Sequence, residues 1–362
     1  MANSLTSPRP DSQLVFSIID GMRTSKAVFA ALEVGVFDLL EEEPLSSASC
    51  AEILQLDAGG AERLLDACVS VGLLLKLDGL YRNTPTASAY VVRSSPQSLA
   101  GYMLYANRIS WRLWQHLEDA ISEGTPRWTQ AFGKETDIFG HFFRTDAAKR
   151  TFLAGMHGMG LLSSPLIAAS FDLSHHQVVA DLGGGTGHLA IAICEHYPHM
   201  RGTVFELPKV TPLTEEYLRQ SSMESRIDVV AGDFFKDPLP DADLYCLGRI
   251  LHDWDEPTIR TLLRRIHAAL PDGGGLLLAE MLLSDDKTQP TRAVLQSVNM
   301  LVCTEGRERS LPEYRALLES EGFTSVQGHV TGQVLDAVYA RKSGTAPTGG
   351  GAYGNSKVAI TG

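Results

Sequence analysis

The sequence predicts an α/β protein in which a helical N-terminal module precedes a doubly wound parallel sheet. First, residues 177–342 alternate short apolar runs with helical stretches. Second, a glycine-rich turn at 183–187 joins the first apolar run to a helix. Third, residues 13–95 follow a different order, three helical segments and then a hairpin. A length of 362 residues is typical of two domains.

The N-terminal module begins with apolar residues at three- and four-residue spacing between 14 and 40, which predicts a helix. Shorter helices are predicted at 49–54 and 60–71. Two apolar runs, 73–77 and 80–83, flank Asp78-Gly79 and predict a hairpin. This order is typical of a winged helix, and we expect an all-helical winged-helix dimerisation domain over residues 13–95.

A winged helix also suggests a regulator that binds DNA, and the charges argue against that alternative. The whole chain carries a net charge of −12. Phosphate binding requires clustered Lys and Arg. Between residues 46 and 90, five acidic residues outnumber three basic ones: Glu52, Asp57, Glu62, Asp66 and Asp78 against Arg63, Lys76 and Arg82. We therefore expect no nucleic-acid partner.

The next segment, residues 96–170, is helical in pattern and rich in aromatic residues. We expect it to be a helical linker that lines an apolar substrate pocket. Strands are then predicted in the main domain, residues 171–342, and a Gly/Ser/Thr-rich flexible tail at 343–362. The predicted strands are 178–182, 202–206, 227–231, 244–248, 276–280, 325–330 and 337–340.

The most specific local pattern is Asp-Leu-Gly-Gly-Gly-Thr-Gly at 181–187, directly after the first strand. Glycines there let the backbone turn sharply and approach a ligand closely. A dinucleotide site is the alternative: counted from Gly183, His188 stands where that pattern needs Gly or Ala, and counted from Gly185 the match is imperfect. Asp181 would repel a pyrophosphate, whereas it can neutralise a cationic amino-acid moiety. The pattern, with Gly183 and Gly185, therefore resembles the S-adenosylmethionine site of a Rossmann-like methyltransferase.

Further polar residues follow the next strands in order. Glu206 ends the second strand, where an acid can accept both hydroxyls of a ribose. After the third strand, Asp233 can bond an adenine amino group and Phe234 can pack on the ring. The fourth strand leads into Arg249 and His252. A neutral imidazole can take a proton from a phenol, so His252 is a candidate general base.

The motifs DLGGGTG, VFELP, GDFFKDPLP, RILHDW and NMLVCTEGRERS, behind a winged-helix module, resemble the cation-independent small-molecule O-methyltransferases with a histidine base. Within that family, the resemblance points to the branch that methylates N-acetylserotonin to melatonin, or to a methyltransferase-like relative with another or a lost substrate. It covers roughly residues 13–342. It implies a homodimer, S-adenosylmethionine as donor and no metal.

The resemblance also assigns residues. It places His252 as the catalytic base and Asp253 and Asn299 against the acceptor substrate. Residues implied to contact the donor are Phe143, Glu206, Gly232, Asp233, Phe234 and Arg249, beside Asp181, Gly183 and Gly185 from the glycine turn.

Three positions depart from the family pattern. Glu206 replaces the usual Asp, a change we expect to be tolerated. An expected aromatic falls at Gly160, so one wall of the donor pocket should be thinner. Cys303 stands where the family has Gln, one helical turn after Asn299. A thiol is a weak hydrogen-bond partner, which puts selectivity for the acetamide of N-acetylserotonin in doubt.

Two further acids are Glu280 and Glu308. They occupy positions where the relatives have acidic residues on either side of the histidine, and either residue can orient the imidazole. Glu308 lies in an Arg-rich run, so a surface ion pair is its alternative role.

Five scattered cysteines indicate neither a disulfide framework nor a zinc site and suit the cytosol. We expect no signal peptide, and no membrane span because the apolar runs are short. A nicotinamide-dependent oxidoreductase and an acidic winged-helix regulator remain the alternatives.

Overall fold

The computed structural model describes residues 11–133, 140 and 145–343. Phe143 and all but the first residue of the predicted tail lie outside these ranges. The helices are α1 (Ser12–Val34), α2 (Val36–Glu42), α3 (Ser47–Leu54), α4 (Ala58–Ser70), α5 (Pro85–Tyr90), α6 (Ala100–Tyr105), α7 (Trp111–Trp114), α8 (Leu117–Glu123), α9 (Trp128–Phe132), α10 (Asp146–Ala168), α11 (His188–His196), α12 (Thr211–Gln220), α13 (Glu256–Ala269), α14 (Thr291–Cys303) and α15 (Leu311–Ser320), with a π-turn at Ala106–Ser110 and a 3-10 turn at Leu251–Asp253. The strands are β1 (Leu45–Ser46), β2 (Leu74–Leu77), β3 (Leu80–Asn83), β4 (Val178–Leu182), β5 (Arg201–Glu206), β6 (Ile227–Ala231), β7 (Leu244–Gly248), β8 (Gly275–Glu280), β9 (Leu282–Leu283), β10 (Arg309–Ser310), β11 (Phe323–His329) and β12 (Asp336–Lys342).

The main sheet has seven strands in the order β11-β12-β8-β7-β4-β5-β6. The five strands from β8 to β6 are parallel, and β12 and β11 are added antiparallel at one edge. The chain runs outward from β4 through β5 and β6 and then returns to β7 on the other side of β4. The direction therefore switches beside β4, where a doubly wound sheet opens a crevice for ligands. The predicted fold class is confirmed.

Each face of this sheet is covered by its own hydrophobic core. One core joins the sheet to α10 and α11 through residues such as Ile167, Leu189 and Val204. The other joins it to α13 and α15 through residues such as Leu262 and Tyr314. All seven predicted strands are present with ends within two residues of the prediction. The short parallel pair β9 and β10 was not predicted, since two residues are too few to produce a pattern.

The N-terminal module packs α1 to α4 around Phe37, Leu65 and Tyr81, all buried. It is not all-helical as expected, because β1, β3 and β2 form a small antiparallel sheet that includes the predicted hairpin. The first half of α1 is exposed and carries a run of large apolar side chains: Leu14, Val15, Phe16, Ile18, Ile19 and Met22. A contiguous apolar face of this kind marks an interaction surface.

The long helix α10 connects the N-terminal part to the sheet. By length and composition it could cross a membrane, which was not expected from its sequence. Half of its apolar stretch is buried inside the fold, against α6 and α11, so packing accounts for its composition. Its crossing with α6 is very close, because a Cβ atom on Gly155 would lie 2.9 Å from the backbone nitrogen of Tyr102.

Candidate active site

A cavity of about 290 Å³ opens at the carboxyl ends of β4 to β8. The sheet supplies one wall through the loops after its strands. The helical segments α6, α10 and α14 supply the opposite wall, including Tyr105, Phe152 and Met300. Most of the lining is apolar, with a few polar side chains that converge on the same space. This is the arrangement expected of a small-molecule site.

The glycine-rich turn forms the floor of the cavity. Gly183, Gly185 and Gly187 have φ values of 69°, 57° and 79°, a conformation that side chains rarely adopt. A Cβ on Gly184 would lie 2.6 Å from the carboxyl group of Asp181, so this group lies directly beneath the turn. Burial raises the pKa of Asp181 to about 7. A cationic ligand group nearby would therefore favour its ionised form.

Glu206, at the end of β5, is fixed by the backbone around it. Its Oε2 accepts a hydrogen bond from Gly185 N at 3.0 Å, and its Oε1 accepts one from Leu207 N at 2.6 Å. The side chain is buried, which raises its pKa. These bonds connect the predicted ribose acceptor rigidly to the glycine-rich turn.

The loop after β6 presents Asp233 and Phe234. Partial burial acts to raise the pKa of Asp233, but Lys236 and the backbone N–H of Phe235 outweigh it and lower the pKa. Asp233 Oδ1 accepts from Phe235 N at 2.9 Å, and Lys236 Nζ lies 2.9 Å from Oδ2. Asp233 is therefore ionised and held at the cavity rim.

Gly232, directly before Asp233, gives the loop room to pass the ring of Phe205. A Cβ atom on this glycine would lie 2.3 Å from Cζ of Phe205, a distance that no real side chain tolerates. The close approach places the backbone of residue 232 in the cavity wall beside the end of β5. Gly232 therefore contributes by having no side chain, since a side chain here would collide with Phe205.

Arg249, the first residue after β7, has a φ of 59°. This left-handed conformation is uncommon for a residue with a side chain and is often found at functional sites. Its backbone N–H donates to Ala279 O at 2.9 Å, which holds the strained residue in place. Its side chain lines the cavity, where Nη1 lies 3.5 Å from Met159 Sδ.

His252 is buried beside three acids. Its Nδ1 lies 2.7 Å from Glu308 Oε1 and 3.6 Å from Glu280 Oε2, and its Nε2 lies 3.6 Å from Asp253 Oδ1. The other oxygen of Glu280 accepts hydrogen bonds from the backbone N–H groups of residues 250 and 251. Glu308 is fully buried, so the alternative of a surface ion pair is wrong. Glu308 lies inside the fold because the two residues that follow it form β10, which pairs with β9.

These charges set the protonation of His252. Burial opposes the charged imidazolium, but Glu308, Glu280 and Asp253 outweigh it and raise the pKa of His252 to about 9. Ligand atoms of His252, Glu280 and Glu308 lie within 4.8 Å of one another, a spacing that a metal ion could use. The direct hydrogen bond between Nδ1 and Glu308 already occupies two of those atoms. The cluster is therefore arranged as a carboxylate-oriented histidine.

Asn299 and Cys303 lie on the helical side of the cavity, on α14. Asn299 Oδ1 accepts a hydrogen bond from Trp114 Nε1 at 2.8 Å, and Cys303 Sγ lies 3.7 Å from the same oxygen. The Asn299 amide nitrogen is thereby oriented as a donor. Burial raises the pKa of Cys303 to about 12, so its thiol stays protonated. Nothing in the sequence distinguishes Trp114 from the other aromatic residues of its segment.

The wall at Gly160 differs from the expectation. A Cβ atom there would lie 2.3 Å from Cγ of His188, so the imidazole ring occupies the space of the missing side chain. The wall is therefore not thinner, and this correction could not be predicted because the two residues are 28 positions apart in sequence. Apart from Phe143, which lies outside the described residues, every predicted site residue lines this cavity. Their roles in binding stay predictions.

Comparison with known proteins bears on what this cavity does. Residues 114–324, more than half of the chain, match the family described as the O-methyltransferase domain. The chain belongs to the O-methyltransferase family. Residues 16–93 match the O-methyltransferase dimerisation domain. The family resemblance found in the sequence is confirmed, and the two alternatives, an oxidoreductase and a DNA-binding regulator, are disfavoured.

Several relatives within this family are similar over most of the chain. Acetylserotonin O-methyltransferase of Bos taurus is 43% identical over 331 residues, which cover 89% of this chain and 95% of that one. The Homo sapiens protein of the same name is 40% identical, with 91% and 97% covered. A probable bifunctional dTTP/UTP pyrophosphatase/methyltransferase protein of Homo sapiens is 42% identical over 91% of this chain, which spans only 53% of that longer relative.

A solved structure supports the same assignment of the O-methyltransferase fold. The crystal structure of human N-acetylserotonin methyltransferase in complex with SAM superimposes with a TM-score of 0.87 and 39% sequence identity. The match covers 93% of this chain and all of that one. The sheet, the helical wall and the N-terminal module are therefore shared with that methyltransferase.

Proposed function

We propose that this protein is an S-adenosylmethionine-dependent O-methyltransferase that methylates the hydroxyl of an aromatic small molecule. The first candidate acceptor is N-acetylserotonin, whose methylation gives melatonin. One observation carries the proposal: the acids suited to the donor, Asp181, Glu206 and Asp233, line the same cavity as the buried His252. The comparisons support it, since relatives of about 40% identity carry the name acetylserotonin O-methyltransferase.

The donor is proposed to lie along the carboxyl ends of β4 to β7. Glu206 would accept the ribose hydroxyls, Asp233 the adenine amino group, and Phe234 would pack on the adenine ring. Asp181 and the glycine-rich turn would hold the cationic amino-acid end. S-adenosylmethionine supplies an activated methyl group on sulfur, and the chain positions it.

Methyl transfer to oxygen needs alignment of the three reacting atoms and removal of one proton. The acceptor hydroxyl attacks the methyl carbon as the bond from that carbon to sulfur breaks. Its proton passes to Nε2 of His252, while Glu308 holds the opposite nitrogen, Nδ1. The products are a methyl ether, S-adenosylhomocysteine and an imidazolium. Glu308 stabilises that imidazolium, since a carboxylate at 2.7 Å favours the charged ring.

The acceptor is proposed to lie between His252 and α14, with Asp253 and Asn299 as its polar partners. The Asn299 amide would donate to an acyl oxygen of the acceptor. Cys303 favours a second interpretation, a methyltransferase-like relative with another hydroxyindole or phenol as substrate, since a protonated thiol replaces the amide expected there. We further propose a homodimer formed through the apolar face of α1, and a location in the cytosol.

Calorimetry and a methyl-transfer screen test this function. We expect S-adenosylmethionine to bind and NADH not to bind. We then expect methylation of at least one compound in a panel that contains N-acetylserotonin, serotonin and simple phenols. Binding of NADH, or absence of any S-adenosylmethionine binding by folded protein, would contradict the proposal.

A further inference from the structure

We infer that His188, accommodated by Gly160 and held by Ser164, recognises the carboxylate at the amino-acid end of the methyl donor. This role deepens the proposed function and rests on it, since it assumes that S-adenosylmethionine occupies the cavity. His188 would then be a specificity residue, although the sequence pattern alone did not identify it as a ligand contact.

Gly160 and His188, distant in sequence, pack into each other. The ring of His188 lies where a side chain at residue 160 would be, with Cγ, Cδ2 and Nδ1 all 2.3 to 2.4 Å from a Cβ placed on Gly160. Real Cβ atoms do not approach other atoms so closely. Any larger residue at position 160 therefore displaces the imidazole. The two residues form one structural unit that connects α10 to the start of α11.

The orientation of the ring is set by Ser164. This serine follows Gly160 by one helical turn and places its Oγ 2.8 Å from Nδ1 of His188. This is the single hydrogen bond of either side chain within the described residues. The serine hydroxyl has one proton to donate, so the fully bonded arrangement has Nδ1 as acceptor. The ring proton then resides on Nε2, which has no protein partner in the described part of the chain, and the side chain lines the cavity.

The ring carries no charge at neutral pH. Burial, with smaller contributions from His157 and Arg249, lowers the pKa of His188 to about 3. It therefore presents an N–H donor without a positive charge. A neutral donor suits this ligand because a methyl donor already carries a sulfonium and an ammonium, both of which an imidazolium would repel.

The position of His188 in the cavity matches one end of the donor. His188 is the first residue of the nine-residue helix α11. The unpaired N–H groups and the dipole at a helix start favour an anion. The adenosine end of the donor is assigned to Glu206 and the loop after β6, and the methyl group must reach His252. The remaining end, which carries an ammonium and a carboxylate, then lies between Asp181 and His188.

Two ligands that differ at that end provide the test. S-adenosylhomocysteine has the amino-acid carboxylate, and 5′-methylthioadenosine lacks it while keeping the adenosine and the sulfur. We expect His188→Ala to weaken S-adenosylhomocysteine binding at least about tenfold, as for a hydrogen bond to a charged group. Binding of 5′-methylthioadenosine should change less than about threefold. Both are measured by calorimetry on the full chain.

A matched control is His176→Ala. His176 is a buried histidine whose Nε2 lies 2.9 Å from the hydroxyl oxygen of Tyr339, and it does not line the cavity. This variant should leave the ratio of the two affinities unchanged. Ser164→Ala is a milder second variant, which leaves the ring in place but removes its hydrogen bond. It should weaken S-adenosylhomocysteine binding selectively and by less than His188→Ala does.

The packing of the pair is tested by a double-mutant cycle. Gly160→Ala should weaken S-adenosylhomocysteine binding in the natural chain, because the methyl group displaces the ring. The same change should have little effect in the His188→Ala background. Equal loss for both ligands in His188→Ala, or equal effects of Gly160→Ala in both backgrounds, would overturn the inference alone. A natural chain that binds neither ligand would overturn the proposed function as well.

Discussion

Nδ1 of His252 and Oε1 of Glu308 are 2.7 Å apart, in a pair that is buried and borders the cavity through the histidine. Because the carboxylate holds Nδ1–H, Nε2 is the nitrogen presented to an acceptor hydroxyl. The relationship thus determines which atom takes the proton. It also determines at what pH that atom is able to do so, and both consequences can be measured.

Removing the imidazole should abolish most of the turnover. We expect His252→Ala to lower kcat about 100- to 10,000-fold, the usual range for a positioned proton acceptor. The affinity for S-adenosylmethionine, measured by calorimetry, should stay within about threefold of that of the natural chain, since His252 is assigned no contact with the methyl donor. A variant with near-normal kcat would refute the assignment of the base.

The pH dependence follows from the raised pKa of His252. If the pKa of the imidazole were unperturbed, the pH profile of kcat would have its midpoint at roughly pH 6–7. With a pKa of about 9 the ring is mostly protonated at neutral pH, so kcat should continue to rise as the pH increases beyond neutrality. Glu308→Gln removes the charge that most favours the imidazolium and should move the midpoint to lower pH. An identical profile in the two proteins would show that the pair does not control the reaction.

Selectivity for the acceptor should depend on residue 303. Cys303→Gln supplies a second amide beside Asn299. The Oδ1 of Asn299 already accepts a hydrogen bond from Trp114 Nε1. We expect kcat/KM for N-acetylserotonin to rise relative to serotonin by about five- to a hundredfold, since only the first carries an acetamide. Cys303→Met is the control, because methionine is similar in length to glutamine but has no amide. If the ratio is unchanged in Cys303→Gln, the acetamide does not contact α14.

Donor affinity should depend on Asp233. Asp233→Ala is expected to weaken S-adenosylmethionine binding by roughly 1–3 kcal/mol, the cost of leaving a buried donor unpaired. Asp233 also accepts the N–H of Phe235, so the loop after β6 loses a bond as well. Asp233→Asn retains an oxygen for that N–H and separates the two effects. Unchanged affinity in folded Asp233→Ala would remove this loop from the donor site.

Assembly should depend on the N-terminal module. A chain that begins at Ser95 lacks the apolar face of α1 and uncovers the surfaces that the module packs against. We expect it to be insoluble or unfolded, whereas the full chain should sediment as a dimer. Sedimentation velocity measures both. A stable, active monomer from the shortened chain would contradict the proposed homodimer.

Most of the sheet was predictable from sequence because each strand leaves a local signature. The buried run 178–182 and the glycines after it are adjacent in the chain, so strand, turn and helix could be recognised together. The choice between the two roles considered for Glu308, and the contact of His188 with Gly160, could not be predicted from the sequence. The burial of Glu308 depends on the β9–β10 pair, and the position of His188 depends on a glycine 28 residues away. Neither contact produces a periodic pattern.

The cavity draws its two walls from different parts of the chain, the strand ends on one side and the helices α6, α10 and α14 on the other. Changes in α14 can therefore alter the acceptor without touching the groups assigned to the methyl donor. In evolutionary terms, descendants of such a protein can acquire new substrates one helical residue at a time while their shared chemistry is inherited intact. Cys303 has the character of one such step.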